Sequence, residues 1–386
     1  MSDTKGYVNN FGHLSFEEKP FCDADAITLC EALYFPVEQV VSNSFDDEPR
    51  KFQDVGNELF ALRGNKHKPM GLLISSTVSK RFMTMTETKR FSDLKFIGVK
   101  EVYCADPAIQ FCGITLILPD GTLFINFRGT DDTIAGWKED VDFFLNKTSP
   151  SNKLAVDYIE AVSSKFEGNI IVAGHSKGGN LALRAAIECS SETRKKIVGV
   201  YNFDGPGYPN HRIFNTGAYD ELLPVYRHYI PYSSLIGILL AHDYDYKVVD
   251  NKMHTGPMQH NIGVWILDEN GEMSILPDTD FKSKVCDILF SKICERASEE
   301  VCVNLEEILT KLCLGLGQKD LMSVSKHLIS SVAGAIKASG TISSQAKKSV
   351  NAFIIGSKGI IKEAVNLVKK GNVPSVTENA FASIAE

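Results

Sequence analysis

The sequence predicts an α/β protein built on a mostly parallel sheet. Two observations carry this. Between 114 and 203, short apolar runs alternate with amphipathic stretches of helical period, and strands separated by helices pair in parallel. Beyond about residue 280 the strand signal stops, and 281–315, 319–339 and 342–370 carry helical periodicity instead. The expected organisation is one domain over 1–280 and a basic helical extension over 281–386.

The elements follow in order. Residues 21–34 place Ala26, Leu29 and Leu33 at helical spacing, with Asp23 and Asp25 near the start, where negative charge suits a helix N-terminus. Residues 46–70 read as polar and loop-like with short helical possibilities, and part of 72–97 as helix. Two strands, 114–118 and 122–127, flank Pro119-Asp120-Gly121, so a hairpin is expected. Over 151–166, Leu154, Tyr158, Ile159, Val162 and Phe166 share one helical face, with Ser151 as cap. A buried strand at 170–173, a helix at 178–189 and a strand at 197–203 complete the pattern.

Composition narrows the function. The chain has 386 residues, 44% hydrophobic and 23% charged, as ordinary globular proteins do. A net charge of −7 argues against nucleic acid as a partner. Residues 1–10 hold no apolar signal core, and no run approaches the ~18 residues of a spanning helix. The nine cysteines are scattered without a C-x-x-C pair, which fits reduced thiols in a cytoplasmic protein. No metal site or cofactor follows from these spacings. Charge is uneven, however. Residues 319–371 hold nine lysines against Asp320 and Glu363, a surplus of +7, so the remainder carries −14.

The stretch that carries chemistry is Gly174-His175-Ser176-Lys177-Gly178, between an apolar strand and a helix. It fits G-x-S-x-G, in which a serine sits on a strained strand-to-helix corner. Flanking glycines let the neighbouring backbone approach, and the helix N-terminus favours developing negative charge. The plain alternative is a tightly packed glycine-rich turn. A serine hydroxyl is a weak nucleophile and needs a base, with donors for the oxyanion. In this fold the histidine follows the serine. Histidines 211, 228, 242, 254, 260 and 327 all qualify by position.

Phe127-Arg128-Gly129-Thr130 and the later Trp137…Asp140 segment resemble those of class 3 lipases. The FRGTDD, GHSKGGN, NFDGPGY and Met258-Gln259-His260-Asn261 segments, with 21–35, resemble a group of uncharacterised bacterial proteins with a lipase-like hydrolase domain. The resemblance spans 1 to about 267. It implies an α/β-hydrolase fold, with Thr130 and the backbone N–H of Lys177 as oxyanion donors. It also implies His260 as base, because the related lipases place their histidine before a Trp-containing segment, and a short strand with Trp265 is expected at 262–267. His254 is the runner-up.

The acid is less direct. Class 3 lipases carry it in a segment matching 229–234, which has no carboxylate here. Asp204, at the end of the strand after the nucleophile helix, is therefore assigned, as in pancreatic-type lipases. Asp243 and Asp245 are the alternatives. The plain readings of Thr130, Asp204 and His260 are a helix cap, a turn residue and a surface histidine. The Lys177 side chain could meet an anionic head group or project into solvent.

The expected activity is serine-mediated hydrolysis of carboxylic esters, acyl lipids above all. Acyl transfer or thioesterase chemistry on the same triad is an alternative, as is a lipase-fold binding protein without turnover. The basic helical tail would offer peripheral contact with an anionic membrane, or else pack on the hydrolase domain or a second protomer. The oligomeric state is open.

Overall fold

The computed structural model describes residues 2–63, 76–130, 149–208, 211–243, 245–253, 257–296 and 363–371, with Gly136, Glu139 and Lys348. Among the described residues nine strands form one sheet in chain order, β1 (Arg50–Lys51), β2 (Lys95–Ala105), β3 (Ala108–Ile117), β4 (Leu123–Phe127), β5 (Ile170–His175), β6 (Ile197–Phe203), β7 (Tyr226–Pro231), β8 (Lys247–Val249) and β9 (Ile275–Leu276). Strands β4 to β8 pair in parallel, and the outer strands on both sides are antiparallel.

The parallel strands are mostly apolar, and β4 and β5 are buried along their whole length, because both faces are covered. Along β5, Ile170 and Val172 face one core while Ile171 and Ala173 face the other. Right-handed crossovers between strands that run in sequence bring the connecting helices to one face. There the helices Pro150–Lys165 and Lys177–Glu188 pack through Ala155, Ile159, Leu181 and Ala185. The opposite face would lie open, and the N-terminal helices close it: Tyr7, Ala26, Leu29 and Phe82 pack with Phe124, Tyr201, Tyr229 and Trp265. Helix Phe281–Arg296 follows β9, with Ile288 and Leu289 buried.

Several expectations are corrected. Within 46–70 the short helical possibilities become one helix of 11 residues, Phe52–Leu62, which buries Phe52, Val55, Leu59 and Phe60. The cap of Pro150–Lys165 is Ser149, whose hydroxyl accepts from the Ser151 N–H, with Pro150 at the first helical position. The expected strand at 262–267 is a 3₁₀ turn, Ile262–Val264, flanked by isolated bridges from Trp265 to Asn251 and from Leu267 to Ser2 and Met273. The hairpin stands as expected, with Gly121 at φ 85° and Asp120 accepting from the Thr122 N–H. Most of the basic extension lies outside the described residues, as do Asp131, Asp132, Trp137, Asp140 and His254. Among the described residues no helix is long and apolar enough to cross a membrane.

Candidate active site

The corner after β5 has the geometry its glycines predict. Ser176 sits at φ 59°, ψ −132°, a conformation a non-glycine residue adopts only under strain imposed by its surroundings. Those surroundings are tight. A methyl group on Gly174 would lie 2.1 Å from the Gly178 carbonyl oxygen, and one on Gly178 would lie 2.0 Å from that of Phe127. The elbow is pinned across the sheet as well, since the Ser176 N–H donates to Phe203 O at 3.0 Å. Lys177 opens the following helix, so its N–H has no acceptor within the helix.

The end of β4 lies against this corner. A methyl on Gly129 would come 3.1 Å from Ser176 Cβ, and Thr130, buried, is the next residue. Arg128 anchors the segment. Its buried guanidinium donates to the carbonyls of Leu33 (3.0 Å) and Phe35 (3.1 Å) and to Glu38 (2.8 Å).

The end of β6 supplies Asp204, fully buried, with a positive φ of 50°. Its carboxylate accepts three hydrogen bonds. Ser234 Oγ (2.6 Å) and the Gly237 N–H (3.0 Å) reach Oδ1, and His260 Nδ1 reaches Oδ2 at 2.6 Å. Nδ1 therefore carries the proton, and Nε2 is left to act as acceptor. The His260 side chain is 26% exposed while that of Asp204 is 1% exposed, so the pair is buried at the carboxylate and partly open at the imidazole. The loop bearing His260 is braced by Trp265 Nε1, which donates to Gln259 O at 2.8 Å. Gln259 Oε1 in turn accepts from Ser233 N and Asn251 Nδ2, both at 2.7 Å.

The alternative acids are placed elsewhere. Asp243 accepts from His228 Nδ1 (3.0 Å) and Tyr226 Oη (3.0 Å), and no contact joins it to His260 among the described residues. Burial pushes its carboxyl up, but the His228 ring and hydroxyl partners more than offset this and hold it below the usual range. Asp245 is exposed.

The Lys177 side chain corrects both expectations for it. Its ammonium neither faces a substrate nor enters solvent. It is 2% exposed and donates to Gln110 O (2.6 Å), Gln110 Oε1 (2.7 Å) and Glu139 Oε2 (3.0 Å). Glu139 is buried and also accepts from Gln110 N, Ser149 Oγ and Ser151 N. Burial raises the Glu139 carboxyl, and the Lys177 charge with these donors brings it below its ordinary value. The cluster ties the start of the elbow helix to β3 and to the N-terminus of Pro150–Lys165.

Two further neighbours of His260 carry no role in the motif reading. His175 Nε2 meets the His260 carbonyl at 2.7 Å, and Tyr34 Oη meets His175 Nδ1 at 2.9 Å. His175 is visible in the motif itself. Tyr34 lies at the exit of an N-terminal helix, where sequence gives no signal of its reach.

Among solved structures, the crystal structure of M37 lipase resembles the chain at a TM-score of 0.33 and 15% identity. The overlap covers 47% of this chain and 68% of that one, a likeness too weak to bear on chemistry. No curated protein matches the sequence. A family model does match: residues 85–309, more than half of the chain, fit that of the Mbeg1-like proteins, and the chain belongs to the Mbeg1-like family.

Proposed function

We propose that this protein is a serine hydrolase that cleaves carboxylic esters, with acyl lipids as the substrate class. The observation that carries this reading is the combination of a strained Ser176 on the glycine elbow with a half-open His260 held by a fully buried Asp204. In the proposed reaction His260 Nε2 takes the Ser176 hydroxyl proton as Oγ attacks the ester carbonyl. Asp204 keeps the imidazole in the Nδ1–H tautomer and stabilises the imidazolium. The Lys177 N–H and Thr130 receive the oxyanion, a role typically worth about 3–4 kcal/mol per donor. His260 then returns the proton to the departing alkoxide, and water activated by the same base hydrolyses the acyl-enzyme. The exposure of His260 favours water as acceptor over a transfer substrate, because transfer needs water kept out. The lipid assignment rests on the lipase-like motifs and is tested with esters of graded acyl length.

The test is covalent labelling by a fluorophosphonate probe. Wild type is expected to label at one site and Ser176→Ala not at all. A folded wild type that stays unlabelled, with detergent or lipid vesicles present, would sink the nucleophile reading and leave a lipase-fold binding protein. Labelling that persists in Ser176→Ala would place the nucleophile elsewhere.

A further inference from the structure

We propose that Tyr34 and His175 form a hydrogen-bonded clasp that positions the backbone of His260 and so aims its imidazole at Ser176. This clasp presupposes the serine-hydrolase reading above. The direction of each bond follows from elementary chemistry. A carbonyl oxygen can only accept, so His175 Nε2 must carry the hydrogen that meets His260 O at 2.7 Å. Burial, and then the neighbouring His260, hold His175 well below the usual histidine range, so the ring is neutral. A neutral ring with Nε2–H has a bare Nδ1, which accepts from Tyr34 Oη at 2.9 Å.

Each bond fixes the next. The His260 carbonyl requires the Nε2–H tautomer of His175, and the Tyr34 hydroxyl, donating to the bare Nδ1, holds the ring in place to make that bond. His260 is thereby held at two points, its backbone by His175 and its Nδ1 by Asp204. The two imidazoles lie with centroids 4.4 Å apart and planes at 37°. A charged His175 there would repel the imidazolium that the proposed reaction forms on His260. A neutral one does not. Without the Tyr34 hydroxyl the ring loses its anchor at Nδ1 and is held at Nε2 alone, and the clasp loosens. Tyr34 lies outside the family-matched 85–309, so a positioning residue comes from the N-terminal segment that covers the far face of the sheet.

The test compares wild type with His175→Leu, His175→Gln and Tyr34→Phe. Fluorophosphonate labelling rate is measured beside the low-field proton signal of the His260 Nδ1–H shared with Asp204. Glutamine reaches as far as Nε2 and can donate to the carbonyl, whereas leucine cannot. His175→Leu is expected to label about 100-fold slower, the effect of misplacing a reacting group by about 1 Å. His175→Gln should stay within about five-fold of wild type, and Tyr34→Phe should fall about ten-fold, since only the anchor at Nδ1 is lost. The low-field signal should persist in His175→Gln and broaden in His175→Leu. Equal rates and signals for the two His175 variants would overturn the clasp. So would a wild-type rate in Tyr34→Phe, which carries the test if His175→Leu does not fold. If wild type itself does not label, the hydrolase reading fails separately, and the proton signal alone decides. Loss in leucine with retention in glutamine keeps the clasp, and no change in either removes it.

Discussion

Two histidine–aspartate pairs stand one strand apart in this sheet, and they differ instructively. His260 meets Asp204 at 2.6 Å and His228 meets Asp243 at 3.0 Å, each through Nδ1 and Oδ2. The His228 side chain is 2% exposed, and its Nε2 is buried with no hydrogen-bond partner among the described residues. The His260 side chain is 26% exposed, and its ring centroid lies 4.4 Å from that of His175, the residue before the strained Ser176. The same two functional groups are thus sealed in one place and partly open in the other, where the proposed reaction would use them. An imidazole held by a carboxylate is not a site until its second nitrogen has something to reach.

The comparison can be broken first at the carboxylates. Asp204→Asn should slow labelling of Ser176 by about 10⁴-fold, because the amide no longer enforces the productive tautomer. Asp243→Asn should leave the labelling rate within a few-fold of wild type and lower the urea midpoint instead. If Asp243→Asn slowed labelling as much as Asp204→Asn with its midpoint unchanged, the assignment of the two pairs would have to be exchanged.

A second buried charge next to the elbow sharpens the contrast. Lys177→Met strands the Glu139 carboxylate without its cation, and breaking a buried pair in this way costs about 3–5 kcal/mol. Lys177→Met with Glu139→Gln should recover part of that loss. The preference between anionic and neutral esters should not change in either variant. A shift in that preference would mean that the ammonium reaches the substrate after all.

The smallest effect concerns Asp287, which lies 3.8 Å from His242 Nε2. Burial pushes its carboxyl up to about 7, while burial takes His242 down to about 4. The folded Asp287 keeps a proton that the unfolded chain has released, so stability is lost as pH rises from the ordinary carboxylate range through about 7. His242 contributes in the opposite sense as pH rises from about 4 to 6.5. Asp287→Asn removes only the Asp287 contribution. It should stabilise the protein by about 2 kcal/mol at pH 8, under a ceiling of roughly 4, and by less at pH 5. Equal gains at both values, read from urea midpoints, would exclude titration of Asp287 as the cause.

How much was readable from sequence follows from how local each feature is. The elbow was readable because its glycines answer to clashes within five residues and with the adjacent strand. Asp204 was readable as a carboxylate at a strand end. The fate of the Lys177 ammonium was not, because its partners Gln110 and Glu139 lie 67 and 38 positions upstream. Tyr34 is 141 positions from His175, and nothing near it announces the contact. The helix Phe52–Leu62 was legible only as a short helical possibility, because Gln53, Asp54, Gly56, Asn57 and Glu58 dilute its apolar stripe. Residues 262–267 failed differently. Their apolar run meets the burial of a strand, but Trp265 is claimed by Gln259 O and Asn251, and the chain turns there.

The bridge between Ser2 and Leu267 has a practical side. Ser2 N donates to Leu267 O at 2.7 Å and Leu267 N returns to Ser2 O at 2.8 Å, seven residues beyond His260. The backbone at position 2 is thus part of the scaffold of the loop that carries the proposed base. An affinity tag fused just ahead of it would have to leave from a paired backbone edge and would pull on that loop. An inactive preparation tagged at that end would then report on the tag. Cleaving the tag, or moving it to the other end of the chain, should come before any negative assay is believed.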